Sequence, residues 1–526
     1  MPDDIEQGYN KGTIKAHDVL EDSQSSKASI EVGQEHLAGV TPPHESFEGY
    51  HRFDPTATWT PQEERKLVFK TDLMLLSWIC FMFFGLQLDR GNLSNALTDH
   101  FLADLNMTTD DYNNGSTIQL VCFLAAEFPV QLLIKRFGFK RVLPVMMLAW
   151  SLVSWTQAWM TSRASFYVTR ALIGAFEGGF IPGTILFATY FYKTKELSVA
   201  RIVSSLLAAG ILQMRGVEGK SGWFWLFLID GLLTFVIGLV SLFYLPSSPT
   251  NTKSVLFPRP WYSEREEVIM INRLLRDDPS KGLTHINERA TLHDIFEAWK
   301  DPSMWGLYFI GLVAYIPQSP VQSYLSLTLT RLGFDTFDAN MLSIPSAALQ
   351  IILMLAVSKS SDIFGERTFH CFFGEFWSLP LLAALVALPN YGYNWARFAV
   401  STMISGYPYF HPIVSAWISE NTFDVKKRAI TAATYNVIVQ IGSIISSQIY
   451  RTSDSPYYYT GNKVLIALCV LSLAVFVAQR EFLRHLNRQK ERKWQAMSPE
   501  ERVLYQSDRE EREKEGNKRL DFRFKY

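Results

Sequence analysis

The charged residues of this 526-residue chain are concentrated in three stretches. Residues 1–71, 246–303 and 480–526 carry 20, 17 and 24 of them, out of 51 acidic and 50 basic residues in the whole chain. The two blocks between these stretches, 72–245 and 304–479, are therefore poor in charge. Soluble domains contain about 25% charged residues. This distribution predicts a polytopic membrane protein with polar tails and a polar central loop.

Charge-poor segments recur along both blocks. Most have at least about 20 residues, the length of helix that crosses a bilayer. Five contain no charge, and they lie between these pairs: Arg141 and Arg163, Asp301 and Arg331, Asp338 and Lys359, Arg397 and Glu420, Arg428 and Arg451. The others enclose one or two charges, and one near 202–214 is short. The pattern predicts an all-α protein with twelve membrane helices.

The predicted organisation has five parts. They are a disordered cytoplasmic tail (1–71), a six-helix half (72–245), a cytoplasmic loop (246–303), a second six-helix half (304–479) and a charged cytoplasmic tail (480–526). Within the first tail, ordering is expected only near Pro61–Lys70. Charges of alternating sign at helical spacing predict that the last membrane helix continues into the final tail, with a solvated face.

The loops differ in their Lys and Arg content, which predicts the orientation. Loop 97–114 has neither residue and carries four Asp residues, whereas loops such as 135–141 and 426–428 are basic. Basic loops face the cytoplasm, so both termini are expected to be cytoplasmic in a plasma-membrane protein. The sequons at Asn106 and Asn114 then fall on the outer side, where they are candidate glycosylation sites.

Composition excludes several other classes of function. The formal net charge is −1 and no domain is basic, which argues against nucleic-acid binding. The four cysteines lie in apolar runs without ligand spacing, so no disulfide framework or metal site is predicted. Metalloprotease and serine-hydrolase motifs are absent from the sequence. We therefore expect neither an enzyme nor a cofactor.

The two halves repeat one feature at matching positions. Lys135–Arg141 follows the second predicted span, and Asp362–Arg367 follows the eighth; both contain Gly and end in Arg. Two parallel repeats would produce such matched turns, and this points to the major facilitator architecture. Lys135 stands where that superfamily usually has Asp, while Asp362 and Arg367 keep the usual pattern.

Among the charged residues within predicted membrane helices of the first half, four are considered together: Asp89, Arg90, Arg170 and Glu177. A charge at the bilayer centre costs at least about 2.5–3.5 kcal/mol, so such residues are functional candidates. Arg170 and Glu177 are seven residues apart, on one face of their helix. All four are expected to converge on a central cavity. The alternative is a set of structural ion pairs between helices.

Several motifs resemble one family. Leu88–Ala96 resembles the first-span signature of the anion:cation symporter family, and Arg170–Gly183 its fourth-span pattern. Segments Arg428–Tyr450, with Asp454-Ser455-Pro456 and Gly461-Asn462, and Gly516–Phe524 are similar to its fungal allantoate-permease branch. The resemblance covers about residues 60–526. It implies twelve helices and proton symport of anions such as allantoate, pantothenate, nicotinate or sulfate.

By this resemblance, Asp89 and Glu177 would carry protons and Arg170 would be their charge partner. Arg90 would bind the substrate anion. A buried carboxylate beside a guanidinium changes its proton affinity with hydration and distance, which can couple protonation to rocking of the halves.

Polar residues of the second half are candidates for the rest of the cavity. Two predicted spans there, the seventh and the tenth, are interrupted by Pro. The candidate substrate-binding residues are Gln318, Gln322, His411, Asn436 and Gln440. Each of them is individually more often an interhelical hydrogen bond than a ligand contact.

Two further carboxylates are ambiguous. Glu127 is either a third proton site or a packing residue beside Gln131. Glu375 is expected to face a lipid headgroup or a neighbouring helix.

The fifth predicted span is unusually short. Only 13 uncharged residues separate Arg201 from Arg215, about 20 Å of helix. By comparison with the family pattern, a block of residues around 199–202 is missing. Either the bilayer accommodates a short helix, or the gene model is mis-spliced.

The leading functional hypothesis is a proton-coupled uptake carrier for a small organic anion. It would act as a monomer in a lipid bilayer, with protons and the substrate as its partners. One alternative is an exporter of a secondary metabolite. Another is a nutrient receptor that binds without transport, which saturable binding without uptake would reveal. The fold does not identify the substrate.

Overall fold

The computed structural model describes most of the two blocks and parts of the tails. The described residues are 43, 49–192, 221–277, 292–331, 333–389, 392–422, 425–498, 501–502, 505, 517 and 519–526. Within these ranges the secondary structure is helical, apart from one isolated bridge between Ser248 and Asn251. The short fifth span and most of the predicted disordered tail lie outside the described residues.

The first half consists of long helices that follow the predicted spans. The first span is Pro61–Ala96, continuous through a π-helical turn at Asp72–Leu76. The other described spans of this half are the second (Thr109–Phe137), the third (Phe139–Thr156), the fourth (Arg163–Glu177, continued as Phe180–Thr189) and the sixth (Gly222–Tyr244). The third and sixth spans pack together, and the sixth also packs on the first.

The second half repeats this plan, with two broken spans. The seventh span is Pro302–Val313 followed by Ser319–Ser323 and Leu325–Arg331, and the tenth is Asn394–Ser405 followed by His411–Glu420. Both breaks fall at the Pro-containing segments, as predicted. The remaining spans are the eighth (Ile344–Phe364), the ninth (Thr368–Ala387), the eleventh (Val425–Ser447) and the twelfth (Tyr459–Ala496).

Eight helices of the described chain are long and apolar enough to cross a membrane. Four are in each half, and Pro302–Val313 is a shorter apolar helix. Of the twelve predicted spans, the third, seventh and tenth are helical but fall outside this set of eight.

The matched Gly turns occur where the repeat predicts them. Gly138 (φ 80°) separates the second and third spans, and Gly365 (φ 62°) ends the eighth. A positive φ is accessible to Gly at no steric cost. Beyond Gly365, Arg367 forms ion pairs with Asp362 at 2.6 Å and with Glu420 at 2.7 Å. The carboxylate–arginine contact expected of the second half is therefore present.

The N-terminal tail is helical over Pro61–Thr71, the part of the tail where ordering is expected. Helix begins at Pro61, because Thr60 and Glu63 form a capping box that satisfies two backbone donors. This segment packs on a central-loop helix, Glu264–Asp277, through the ion pairs Lys70–Glu266 and Arg265–Glu63, each 2.8 Å. These interhelical contacts order the described part of the tail, and they are not visible in tail composition.

Glu266 shows that this packing is electrostatic. Burial raises the pKa of the Glu266 carboxyl, but hydrogen bonds from Lys70 and Ser263 outweigh burial and hold the pKa below its ordinary value.

The C-terminal tail behaves as predicted in its first part and differently at its end. The last helix continues to Ala496, the extension that the charge spacing predicts. The final residues fold back on the second half: the Lys525 carbonyl accepts from Trp417 Nε1 (2.7 Å) and Asn421 Nδ2 (2.9 Å). Phe524 is buried beside Asn487, which exchanges two hydrogen bonds with its backbone.

Buried apolar residues of the described chain form one cluster shared by the two halves and three that are not shared, of which the smallest is Leu325, Leu329 and Ala339. The shared cluster joins first-half residues such as Phe101 and Trp223 to second-half residues such as Tyr324 and Tyr450. It lies at the end of the molecule that carries loop 97–114, which we call the acidic-loop end. At the opposite, basic-loop end, one cluster belongs to the first half and central loop and another to the second half.

Hydrogen bonds between the halves also cluster at the acidic-loop end. Asn113 donates to the Tyr450 carbonyl at 2.6 Å and accepts from the Tyr324 hydroxyl. Further contacts link Thr117 to Ser447 (3.0 Å) and Asn340 to Thr98 (3.0 Å). The described conformation is therefore joined at the acidic-loop end.

Candidate functional site

An ion pair between the first and fourth spans is the centre of the candidate site. Arg90 Nε donates to Glu177 Oε2 at 3.0 Å. The Glu177 side chain is buried, whereas 31% of the Arg90 side chain remains exposed. The guanidinium also lies over the Phe123 ring at 5.2 Å. Arg90 is thus held by a buried carboxylate and an aromatic face, with part of its surface open to a ligand.

Arg170 is fully buried on the same helix as Glu177, but it has different partners. Its guanidinium donates to the side-chain oxygens of Gln157 and Gln119, the latter at 3.4 Å, and Nε has no hydrogen-bond partner among the described residues. Seven residues of helix separate Arg170 from Glu177 by about 10 Å along the axis. This separation is too large for a direct contact between the two residues.

Asp89 is bonded to the third span. It accepts from Trp150 Nε1 at 2.9 Å and from Ser154 Oγ at 2.7 Å. These donors are neutral, so Asp89 has no cation in hydrogen-bond contact. Trp150, Ser154 and Gln157 are spaced four and three residues apart, on one helix face. That spacing of polar residues in an apolar span was the signal that could have identified them.

The four predicted charged residues are therefore brought into one region, with one pairing different from that implied by the resemblance. The carboxylate in direct ionic contact with an arginine is Glu177, and its partner is Arg90, not Arg170. A proton on Glu177 would remove this attraction and leave the Arg90 charge available to an anion. The geometry thus links protonation of Glu177 to whether the permanently charged Arg90 guanidinium already has an anionic partner.

Asp230 of the sixth span was not selected as a candidate from the sequence. Its side chain is fully buried, and neither carboxylate oxygen has a hydrogen-bond partner among the described residues. Asn92 of the first span is its nearest polar neighbour. A single Asp in a 23-residue apolar span was the available signal.

The corresponding region of the second half contains no ion pair among its described residues. The Tyr315 and Tyr435 hydroxyls are 2.6 Å apart, between the seventh and eleventh spans. His411 lies beside both rings, at 5.7 Å from Tyr315 and 5.4 Å from Tyr435 between ring centroids, and its ring is parallel to that of Tyr409. Aromatic faces and hydroxyls thus take the place of the charges.

Gln318 lies in the break of the seventh span and is fully buried. Its amide donates to Glu375 Oε1 at 3.0 Å and to Ser378 Oγ at 3.1 Å. Glu375 also accepts from Cys469 Sγ of the twelfth span at 3.1 Å. Of the two expectations for Glu375, the structure supports contact with neighbouring helices, because the carboxyl is buried and not at a headgroup. Gln318 is accordingly an interhelical contact here.

The other predicted polar residues of the second half are not drawn into this cluster. Gln322 and Asn436 are exposed, and Gln440 is half-buried. In the first half, Glu127 is also half-buried, and Gln131 donates to the Gly179 carbonyl at 3.1 Å, not to Glu127. Asn106 is exposed with a positive φ of 51°, and Asn114 is exposed within the second span.

Comparison with known families identifies the architecture. Residues 79–447 match the family model described as the Major Facilitator Superfamily. The chain belongs to this superfamily. This facilitator is 40% identical over 491 residues to an uncharacterized transporter of Saccharomyces cerevisiae, a match that covers 91% of this chain and 90% of the relative. It is 27% identical over 453 residues to the major facilitator-type transporter hxnP of Emericella nidulans, covering 82% and 88%.

Solved structures agree with the fold of this facilitator. A bacterial homologue of the human lysosomal transporter Spinster, in an inward-facing and unoccupied conformation, has a TM-score of 0.58 at 14% identity, covering 81% of this chain and 99% of that chain. The nucleoside transporter NupG has a TM-score of 0.53 at 12% identity, covering 78% and 98%. The major facilitator fold is confirmed. The protein is a multi-pass membrane transporter of the major facilitator type and not an enzyme.

Proposed function

We propose that this chain is a proton-coupled symporter of a small organic anion and belongs to the anion:cation symporter family. The observation that carries the proposal is the pair between the half-exposed Arg90 and the buried Glu177. The substrate would be of the allantoate, pantothenate, nicotinate or sulfate class. Transport proceeds by alternating access, in a monomer.

The charge balance of the pair supports an anionic substrate. A guanidinium is protonated at every cellular pH, so Arg90 requires a negative partner. Glu177 is that partner when it is ionised. When Glu177 binds a proton, a carboxylate or sulfate of the substrate takes its place, held by two parallel hydrogen bonds from the planar guanidinium. Proton and anion therefore load together.

The remaining charged and polar residues have assisting roles in the proposal. Asp89 is the second proton-carrying carboxylate, and Arg170 supplies positive charge behind the pair. His411, Gln318, Gln322, Asn436 and Gln440 would contribute neutral contacts for the rest of the substrate. The Tyr315–Tyr435 hydroxyl pair, 2.6 Å apart, joins them.

The two ends of the molecule support alternating access. The halves share an apolar cluster and hydrogen bonds at the acidic-loop end, and have separate clusters at the basic-loop end. If the basic loops face the cytoplasm, this conformation is open inward. In the proposed plasma-membrane orientation both termini are cytoplasmic, and Asn106 and Asn114 are glycosylation sites on the outer surface.

The test is radiolabelled uptake by cells that express the chain, across a panel of organic anions at acidic and at neutral external pH. We expect one class of anion to accumulate against its gradient, more at acidic pH, and a protonophore to abolish the accumulation. Arg163→Lys, a change to an exposed arginine, is the matched control for expression.

Three outcomes contradict the proposal. Saturable binding without uptake indicates a receptor. Lower cellular content of the compound in expressing cells indicates an exporter. Accumulation that is equal at both pH values and insensitive to the protonophore excludes proton coupling.

A further inference from the structure

The interface between the first and sixth spans contains polar groups that have no partner. Both carboxylate oxygens of Asp230 and the Thr234 hydroxyl are buried without a hydrogen bond of regular geometry within the described chain. The neutral Asn92 amide of the first span is the polar group beside Asp230. Asp230 and Thr234 are four residues apart, on one face of the sixth span. Thr234 lies against the first span at Gly85. These groups therefore face a common strip of the first span.

The first and third spans pack against the sixth span and supply the neighbours of Asp230. On the first span, Asp89 is close enough for its charge and that of Asp230 to repel. The third span presents Trp150, Ser154 and, at Gly231, the Trp155 backbone, none of which is ionisable. Within the described residues, no arginine or lysine forms an ion pair with Asp230. Its carboxylate would be uncompensated if it were ionised.

The charges of this region also indicate that an ionised Asp230 would have no compensating positive charge. Arg90 and Arg170 supply two positive charges, while Asp89, Glu177 and Asp230 supply three negative charges when all are ionised. An unpaired charge in an apolar interior carries a large free-energy penalty, and a carboxylate escapes it by binding a proton.

We propose that Asp230 is a further proton-binding residue of this transporter and that it holds its proton in the described conformation. Asp230 thus adds to the carboxylates that the proposed symport uses, and its role in coupling rests on that proposed function. The protonation of Asp230 itself is independent of the proposed function.

A proton fits this interface better than a metal cation. Both oxygens of Asp89 already accept hydrogen bonds, from Ser154 and Trp150. The oxygens left without partners are those of Asp230 and the Thr234 hydroxyl. Cations that prefer oxygen usually take six or more ligands in proteins, so these few atoms favour a proton.

The test is infrared spectroscopy of the purified full-length protein in lipid nanodiscs at neutral pH, without substrate. A protonated carboxyl has a C=O stretching band that an ionised carboxylate lacks. We expect this band in the wild type and a loss of intensity in Asp230→Asn. The matched control is Asp110→Asn, which removes a partly exposed carboxylate near Arg451 and should leave the band unchanged.

The outcomes are distinct from those of the uptake test. An unchanged band in folded Asp230→Asn overturns the inference, even if the chain is an anion symporter. A band that appears only after sodium is removed shows that the interface holds a metal ion, which also overturns it. If Asp230→Asn fails to fold, Asp230→Leu has the same readout, since an apolar side chain of similar size suits a buried position.

Discussion

The centres of the two halves differ in kind, although the helices that form them repeat. In the first half, the central contact is ionic, between Arg90 and Glu177 at 3.0 Å. In the second half, the equivalent region holds the Tyr315–Tyr435 hydroxyl pair, flanked by His411. This difference supports the proposal that the first half moves charge and the second recognises the uncharged part of a ligand.

Carboxylates of the two halves illustrate the same contrast. Glu177 faces a guanidinium that is partly exposed, so its charge state affects a residue that a substrate can reach. Glu375 is surrounded by the neutral donors Gln318 and Cys469, between three spans. We therefore expect only the first-half carboxylate to be essential for coupling.

The largest effect is expected from the first-half carboxylates. Replacing Glu177 by Gln, or Asp89 by Asn, should abolish pH-driven accumulation, while exchange of substrate across the membrane survives in at least one variant. Breaking a buried pair costs about 3–5 kcal/mol, so accumulation should fall at least about 100-fold. The measurement is radiolabelled uptake at acidic external pH, with counterflow as the second assay.

Glu375→Gln is the matched control in the other half, because it changes a carboxyl to an amide at equal burial. It should keep most of the accumulation. If Glu375→Gln abolishes accumulation while Glu177→Gln and Asp89→Asn retain it, the contrast between the halves is reversed.

A smaller but still large effect is expected from Arg90→Lys. The ammonium keeps the charge but loses the planar, two-point geometry that binds a carboxylate. Loss of a charge-assisted hydrogen bond of about 1.5–3 kcal/mol corresponds to a roughly 10- to 100-fold lower kcat/KM. Uptake kinetics and surface labelling measure this.

Arg163→Lys provides the comparison for Arg90→Lys, since the Arg163 side chain is 63% exposed and contacts Asp111 at the acidic-loop end. It should transport normally. A neutral or cationic substrate carried equally well by wild type and Arg90→Lys would contradict anion binding and favour the exporter alternative.

A moderate effect is expected in the second half from Tyr435→Phe. This change removes one member of the Tyr315–Tyr435 hydrogen bond and keeps the ring. A neutral hydrogen bond contributes about 1 kcal/mol, so KM should rise about fivefold with little change in kcat. Tyr308→Phe is the control, because Tyr308 is another buried tyrosine of the seventh span and is not part of the Tyr315–Tyr435 pair. Equal KM changes in both would argue against a ligand-facing role for Tyr435.

The sequence predicted spans and breaks well because these depend on local composition. A low charge content and an interruption by Pro are both properties of a single segment. The seventh and tenth helices break at their Pro-containing segments. The Gly turns followed from the repeat. Likewise, the four charged residues were recognisable because charge is rare at membrane depth.

Side-chain partners could not be derived in this way. Whether Arg90 or Arg170 contacts Glu177 depends on the rotation and depth of two helices relative to each other, which neither helix encodes alone. The bonds from Trp150 and Ser154 to Asp89 depend on the third span in the same way. The docking of residues 519–526 requires contacts more than 100 positions apart, such as Trp417 to Lys525.

The smallest effects are expected at the basic-loop end, where the halves again differ. Pro61–Thr71 is held there by ion pairs such as Lys70–Glu266, whereas Lys525 near the end of the chain is held by hydrogen bonds between its backbone and the Asn421 side chain. Partly exposed ion pairs contribute about 0.2–1 kcal/mol and are screened by salt. Lys70→Met should therefore lower the thermal stability of the purified protein slightly at low salt, and less at high salt.

Asn421→Ala is the counterpart in the second half, and it should lower thermal stability by a similar or somewhat larger amount, about 1 kcal/mol, at every salt concentration. The pH response adds a second distinction. Because the pKa of Glu266 is lower in the folded protein than its ordinary value of 4.5, its stabilisation is present at neutral pH and is lost as the pH falls below that value. The destabilisation by Lys70→Met should thus shrink in acid, whereas that by Asn421→Ala should not. Equal salt and pH responses in the two variants would show that the two fastenings do not differ in kind.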